Sequence, residues 1–403
     1  MNPELRFWLL VGGALAGYLA LMWANPIRTS LRDGFRCMRR YPALWTTLAI
    51  FGLCYAAFQF GLKLLEMQVL PEGEQPVFQW TRAWFLPHVT QVEIARDSLL
   101  RAFEGVAGIF NNVITTFPFS AIAALLLLIN WQGHHLVLNR TLRRRFGPRG
   151  WLVYAAITVC AVAALAKPFV LYAGLPTLAR FLPGAALLQV SSIIDWLSFL
   201  FEYLFGVCIQ VYLILLVYAW VRGVNFTPSH LLDFAIRRFS SVVKWAAVVL
   251  ALSTVLIHFP LILSTVAPFD YYLTPPRVQY YVDHVARPFL ALFLILFSTP
   301  QITLTFHSET LPHALNDHLH FVRRNRVALI WFLLIAWIHF YAFHFLNSAL
   351  EDGLGEGTPL GLLWQITAPL INAFIAGWLL ASWICVFHRA DTHHTQKENW
   401  IAF

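Results

Sequence analysis

The stretch Leu31-Arg32-Asp33-Gly34-Phe35-Arg36-Cys37-Met38-Arg39-Arg40 lies between two long apolar stretches of the chain. It holds a leucine, an aspartate two residues later and an arginine pair at its end. The pattern returns over 315–324 with identical spacing and over 231–238 with two residues fewer. A fourth basic cluster, over 140–145, occupies the same kind of gap but lacks the acid. This repetition indicates a duplicated helical hairpin, and it decides the predicted fold.

The composition is that of a chain surrounded mostly by lipid. Of the 403 residues, 59% are hydrophobic and 12% are charged, whereas a soluble domain carries about 25% charged residues. The formal net charge of +8 is not gathered on a polar domain, so we expect no nucleic-acid partner. The five cysteines form no CxxC pair, and we expect neither a disulfide framework nor a cofactor.

Apolar stretches of about 20 residues each predict membrane-spanning helices. We predict an all-α bundle of about nine spans within one integral membrane domain, 1–403, that has no soluble domain. The predicted spans cover 7–25, 43–65, 117–133, 150–171, 199–221, 245–266, 286–306, 327–347 and 364–387.

The distribution of basic residues predicts the orientation of these spans. With the N-terminus outside, the segments predicted to be cytoplasmic, including the C-terminal tail, hold 19 of the 28 Lys and Arg residues but only 6 of the 20 acids. Cytoplasmic loops carry an excess of Lys and Arg. We therefore predict a bacterial inner-membrane protein with an outer N-terminus and a cytoplasmic C-terminus.

Four hairpin repeats and part of a fifth are predicted along the chain. The predicted units cover 7–66, 92–172, 186–266 and 276–350, with a partial copy over 360–403. The hairpin stretches Arg39-Arg40-Tyr41-Pro42 and Arg323-Arg324-Asn325 resemble those of bacterial polytopic membrane proteins, among them the membrane domain attached to some glycerophosphodiester phosphodiesterases. The resemblance implies a repeat-built inner-membrane protein. Since the phosphodiesterase domain itself is missing, no catalytic residue carries over.

The segments between paired spans are predicted to be basic amphipathic helices at the membrane surface. In the first, Leu31, Phe35 and Met38 recur at helical spacing and the arginines take the other face, so the apolar side is expected to lie in the headgroup boundary. We interpret the arginines as topology anchors that contact lipid phosphates, with anionic lipid or a membrane-protein partner as candidate ligands. These residues are Arg36, Arg39, Arg40, Arg143, Arg144, Arg145, Arg237, Arg238, Arg323 and Arg324.

An outer amphipathic segment precedes the third predicted span. Its apolar positions recur every three or four residues, while acids and arginines, including Arg101 and Glu104, fill the other face. The apolar positions are Val92, Ala95, Leu99, Phe103, Val106, Ile109 and Val113. Such a helix either lies on the outer surface or packs along other spans.

Ionisable residues within the spans are the main candidates for function, because charge in a membrane is costly. Counting 1.5 Å per residue puts six of them in the outer half, where the alternatives are snorkelling to the boundary and lining an outward-facing polar cavity. His339 is the deepest, and Lys167 or Lys63 is a candidate partner for Glu202. The six are His339, Glu202, Lys167, Lys63, His344 and His258.

A weaker candidate is a metal site on the last basic helix. His313, Asp317 and His320 are spaced so that they share one helix face, which suits a transition metal, but the spacing matches no zinc-protease motif. Asp317 is also the acid of the repeated pattern. We therefore predict no metal site and treat these three residues as a secondary interpretation.

Three classes of function remain. The first is a non-enzymatic membrane protein that interacts with lipid or organises a membrane complex. The second is a transporter or channel with an outward-facing polar cavity; no span shows an evident Gly- or Pro-interrupted break, and Pro300 and Pro369 are the nearest candidates. The third is an integral enzyme acting on lipid, although the chain has no HExxH, GxSxG, P-loop or GxGxxG motif.

Overall fold

The computed structural model describes residues 3–69, 91–111, 118–129, 140, 142–144, 146–169, 184–223, 228–266, 269–306, 310–354 and 359–392. Over these ranges the secondary structure is helical and contains no strand. The prediction of an all-α fold is therefore confirmed.

Sixteen α-helices lie in the described ranges. They are α1 Pro3–Ala24, α2 Arg28–Arg40, α3 Ala43–Val69, α4 Gln91–Phe110, α5 Phe119–Ile129, α6 Gly150–Phe169, α7 Gly184–Arg222, α8 Pro228–Ser253, α9 Phe259–Leu263, α10 Phe269–Tyr272, α11 Pro275–Tyr281, α12 Arg287–Leu296, α13 Pro300–Phe306, α14 Leu311–Arg324, α15 Arg326–Leu354 and α16 Pro359–Thr392. Two π-helical turns, Thr254–His258 and Val282–Ala286, join α8 to α9 and α11 to α12.

Six helices in the described part are long and apolar enough to cross a membrane. They cover Ala43–Gly61, Gly147–Lys167, Gln189–Arg222, His230–Leu263, Arg326–Glu351 and Pro359–Ala390. The chain is thus a membrane-integral protein by the length and composition of its helices.

The predicted count of nine spans is not confirmed. A bent pair, Pro276–Leu296 with Pro300–Phe306, adds a seventh crossing if its two halves are taken together. In the predicted first and third spans, the described residues include the apolar helical stretches Gly12–Ala24 of α1 and Phe119–Ile129 of α5.

Helices α7 and α16 form the centre of the bundle. In each, 61% of the most apolar window is buried inside the protein, against 17–39% for the other candidate spans. Helix α16 packs on α2, α3, α7 and α15, and α7 packs on α6 and α8. The other spans therefore surround these two and turn one side to lipid.

The basic segments gather at one end of the bundle, which we call the basic end. Phe306, at the end of α13, contacts Tyr218 near the end of α7 and Phe387 near the end of α16, and Phe387 also contacts Phe321 of α14. Gly223 ends α7 in a left-handed conformation, φ +68°, which is the usual role of glycine after a helix.

Helix α2 is docked on α16, and its apolar face does not lie in lipid as predicted. Leu31 and Met38 are buried, but Phe35, the third residue of the predicted apolar stripe, is 51% exposed. The buried face instead runs through Ser30, Leu31, Gly34, Cys37 and Met38. The indole Nε1 of Trp378 on α16 donates to the Leu31 carbonyl at 3.0 Å. Protein, and not lipid, therefore covers this side of the helix.

Helix α4 packs along other helices, chiefly α15 and α12. Leu99 and Phe103, predicted on its packed face, are 39% and 37% exposed, while Ser98 and Ala102 are fully buried. An added Cβ at Gly105 would lie 2.8 Å from the Phe340 ring of α15. Val106 and Ile109 of the same predicted stripe are buried, so the packed face combines these two residues with small ones, which let helices approach closely in a membrane.

The seventh predicted span is interrupted between α12 and α13, contrary to the expectation of uninterrupted spans. The two helices differ in direction by 45°, and Pro300 opens the second. Proline has no backbone N–H to donate to the preceding turn, which favours a new helix start at this point. Pro369, the other candidate, lies inside the continuous helix α16.

Candidate functional site

A cavity of about 410 Å³ lies between α3, α4, α7, α15 and α16. Helix α4 contributes Arg101, Glu104, Gly105 and Gly108 to its wall. These positions are spaced i, i+3, i+4 and i+7, so they form one face of the helix. The other lining residues are Leu48, Phe51, Gly52, Tyr55, Ile109, Ile209, Gln210, Leu213, Phe340, His344, Asn372, Ala376 and Leu380.

Charged groups stand near the cavity on α4 and α12. Arg101 pairs with Asp97 one turn earlier at 2.8 Å, and Arg287 pairs with Asp283 at 2.9 Å. Glu104 interacts electrostatically with both guanidinium groups. Among the described residues, however, no hydrogen bond or ion pair within 4.0 Å joins the Glu104 carboxylate to a partner.

Gln210, which lines the cavity, is hydrogen-bonded to two other helices. Gln210 of α7 donates through Nε2 to the Ile109 carbonyl at 2.9 Å, at the end of α4. Its Oε1 accepts from Gln301 Nε2 at 3.1 Å, in the first turn of α13. Gln210 thus joins the last turn of α4 to the first turn of α13. It precedes Arg222 by twelve residues, about 18 Å along the helix, which is close to the middle of a membrane of ~30 Å.

His318 of α14, at the basic end, hydrogen-bonds residues on both sides of the break between α12 and α13. Its Nδ1 lies 2.8 Å from Thr299 Oγ1, and the ring also hydrogen-bonds the Leu296 carbonyl, which ends α12. Since a carbonyl only accepts, the ring donates to Leu296 and accepts from the threonine hydroxyl. Burial lowers the pKa of His318, and the bond to Leu296 opposes this shift.

His339, the deepest of the predicted intramembrane residues, does not line the cavity. Its Nδ1 lies 2.7 Å from the Ile335 carbonyl, and its Nε2 lies 2.8 Å from the Tyr18 hydroxyl of α1. The ring meets Trp378 of α16 edge to face. Both ring nitrogens are thus engaged in contacts that join α1, α15 and α16.

The other five predicted residues take several places. His344 lines the cavity. Lys167 pairs with Asp195 of α7 at 2.5 Å, and His258 stacks on Phe199 with ring centres 4.4 Å apart. Glu202 is half-buried on α7. Lys63 lies on α3, but its side chain is outside the described part.

The candidate lipid-binding arginines reach the surface of the basic end. Those at 36, 39, 40, 143, 144, 237, 323 and 324 are exposed, and Arg238 is half-buried. Arg145 is outside the described residues. At the candidate metal positions, His313 Nε2 lies 3.6 Å from Asp317 Oδ2, and His320 is exposed. In the described ranges, no three His, Cys, Asp or Glu side chains converge as metal ligands.

Sequence reasoning missed most of the polar residues at the cavity. Helical periodicity places Arg101 and Glu104 only on the polar face of the outer amphipathic segment, and the predicted site residues include neither Gln210 nor Asn372. Amides inside apolar stretches carry a usable signal, because an unsatisfied amide in hydrocarbon is costly and predicts a partner. Comparison of the chain with protein-family models, with curated proteins and with solved structures gives no match. The resemblance of the hairpins therefore stays a prediction.

Proposed function

We propose that this chain is a membrane transport protein that binds a small polar solute in the cavity between α3, α4, α7, α15 and α16. The observation that carries the proposal is the meeting of two helix ends at Gln210, in the middle of the membrane and at the wall of the cavity. Transporters commonly form their sites near the midplane from discontinuous helices. A merely structural bundle would fill such a space with apolar side chains.

The size and lining of the cavity fit a small solute better than a lipid chain. About 410 Å³ is within the range of small-molecule sites. Mostly apolar walls surround a few polar groups, among them Arg101, Glu104, Gln210, His344 and Asn372. Polar groups placed in this way orient a ligand and select its chemistry.

The test is a thermal-stability screen of purified protein with sugars, amino acids, amines and dicarboxylates. A bound solute at a hundred times its Kd stabilises the protein by about 2.7 kcal/mol. We expect one class to raise the melting temperature of wild type but not of Gly108→Leu, which fills the cavity. Gly61→Leu is the matched control, since an added Cβ there meets nothing within 4 Å. Flux of the same class into proteoliposomes then separates transport from binding alone. If no class stabilises the protein and none enters, the proposal fails.

A second candidate function, lipid interaction or scaffolding of a membrane complex, is favoured by the exposed arginines of the basic end. Each Arg near an anionic surface contributes about 1 kcal/mol. Neutralising Arg39 and Arg40 to Gln is expected to weaken co-purification of anionic lipid, and neutralising Arg287, on a helix away from the basic end, is not. Equal lipid retention by all variants and purification without a protein partner would eliminate this function.

In the full proposal, the protein lies in a bacterial inner membrane with its basic end in the cytoplasm. The positive charge of that end supports this orientation. The chain is proposed to consist of duplicated hairpins, with α4–α5 and α12–α13 as equivalent inward crossings made of two helices each. A C-terminal fluorescent-protein fusion should fluoresce and a C-terminal alkaline phosphatase fusion should be inactive. The reverse pattern would invert the orientation.

A further inference from the structure

We infer that the solute carries a cationic amine or guanidinium group, which Glu104 binds as counter-ion. This inference deepens the proposed function and rests on it. Glu104 lines the cavity on the same face of α4 as Gly105 and Gly108. In the described part of the chain its carboxylate has neither a hydrogen-bond donor nor an ion pair. The guanidinium groups of Arg101 and Arg287 act on Glu104 only from beyond ion-pair distance. A carboxylate in a partly desolvated wall is costly unless it is closely paired, so a cationic ligand would supply the close ion pair.

Among the charged groups near Glu104, the carboxylates outnumber the guanidinium groups by one. Arg101 is engaged with Asp97, and Arg287 is engaged with Asp283. These two pairs and Glu104 amount to three carboxylates against two guanidinium groups. A cationic ligand balances this set, whereas an anionic ligand would add a fourth negative charge close to Glu104.

A second acceptor lies on another helix that lines the same cavity. The side-chain oxygen of Asn372 on α16 is buried and has no hydrogen-bond partner among the described residues. Buried side-chain oxygens are normally hydrogen-bonded. An ammonium group has three donors and a guanidinium group five, so either donates to the carboxylate and still has N–H groups for the amide oxygen.

Three probes of equal chain length and different charge test the inference: 1,4-diaminobutane, 1,4-butanediol and succinate. Each is titrated by calorimetry into wild type, Glu104→Gln, Glu104→Asp and Glu351→Gln, all in lipid nanodiscs. Glu351 is an exposed carboxylate on α15 that is not part of the cavity lining, so its variant removes the same charge elsewhere. Unliganded melting temperatures verify that each variant is folded.

We expect the diamine to bind wild type and Glu351→Gln alike, at least about tenfold more weakly to Glu104→Gln, and with intermediate affinity to Glu104→Asp. Preferential binding of succinate, or equal diamine binding by Glu104→Gln and wild type, would overturn the inference and leave the cavity function intact. Binding of none of the three probes, together with an empty solute screen, would overturn the proposed function itself.

Discussion

Replacing Gly34 by alanine tests whether α2 is docked on α16 or lies in the lipid headgroups. An added Cβ would stand 2.2 Å from Ser382 Oγ, 2.7 Å from its backbone nitrogen and 2.9 Å from its Cα. The hydroxyl can rotate away, but the backbone of α16 cannot. The two helices must therefore separate by about 0.7 Å to restore ordinary contact distances.

The size of the effect follows from what that separation costs. A gap of 0.5–1 Å forfeits roughly a quarter to a half of each van der Waals contact. The contacts affected include those of Leu31, Cys37 and Met38, all buried on this face. Overpacking of this kind typically costs about 1–3 kcal/mol, and alanine returns roughly 0.5–1 kcal/mol through its better helix propensity. We expect a net loss of about 1–2 kcal/mol.

The assay is thermal unfolding in detergent and in nanodiscs, with Gly61→Ala as the control. An added Cβ at Gly61 meets nothing within 4 Å, so that variant should be neutral or slightly stabilising. Adding Ser382→Gly to Gly34→Ala removes the clash with the hydroxyl and should restore part of the lost stability. The rescue should be incomplete because the contact with the backbone of α16 remains. If Gly34→Ala stabilises as Gly61→Ala does, α2 does not contact α16 as described, and the lipid-facing interpretation of its apolar face is correct.

Three further predictions concern the basic end. Burial lowers the pKa of His318, so the unfolded state binds more protons and stability should fall as the pH decreases below about 6.5. The difference in melting temperature between His318→Gln and wild type should shrink over that range. Parallel pH profiles of the two proteins would contradict the buried position of His318. Burial also raises the pKa of the Cys37 thiol, so maleimide labelling at pH 8 should be slow in wild type and faster in Gly34→Ala; equal rates would place this thiol at the surface. Arg389 pairs with Asp33, and the arginine side chain is 45% exposed. A double-mutant cycle to alanine should therefore give a coupling free energy of only about 0.2–1 kcal/mol. A coupling of zero would show that this ion pair does not contribute to the docking of α2.

Sequence patterns predict the helical class and the basic end well, because both depend on composition and charge. They predict the helix faces only in part. Of the apolar stripe on α4, Val106 and Ile109 are buried, but Leu99 and Phe103 are 39% and 37% exposed. Ser98 and Ala102 lie on the packed face instead. In lipid, large apolar residues gain little by packing inward, and small residues allow close helix contact. Hydrophobic periodicity therefore does not by itself identify the packed face of such a helix.

The cavity was harder to predict because its polar groups come from distant parts of the sequence. Glu104, Gln210 and Asn372 lie on three helices, and each alone looks like an isolated polar residue. His339 was the better candidate by depth, but depth measures the cost of a polar group and not its role. Its two ring nitrogens are engaged by Tyr18 and Ile335, whereas the side chains of Glu104 and Asn372 are left with unused acceptors.

The two Gln210 hydrogen bonds connect the cavity wall to the break held by His318. Water does not compete for these bonds in an apolar interior, so each is stronger than at a surface. Gln301, their second partner, lies two residues after Thr299, whose hydroxyl donates to His318 of α14. A rigid displacement of α4 that opened the cavity would have to break the bond from Gln210 to Ile109 or move α7 with it. The start of α13 is thus joined to α7 through Gln301 and to α14 through the neighbouring Thr299.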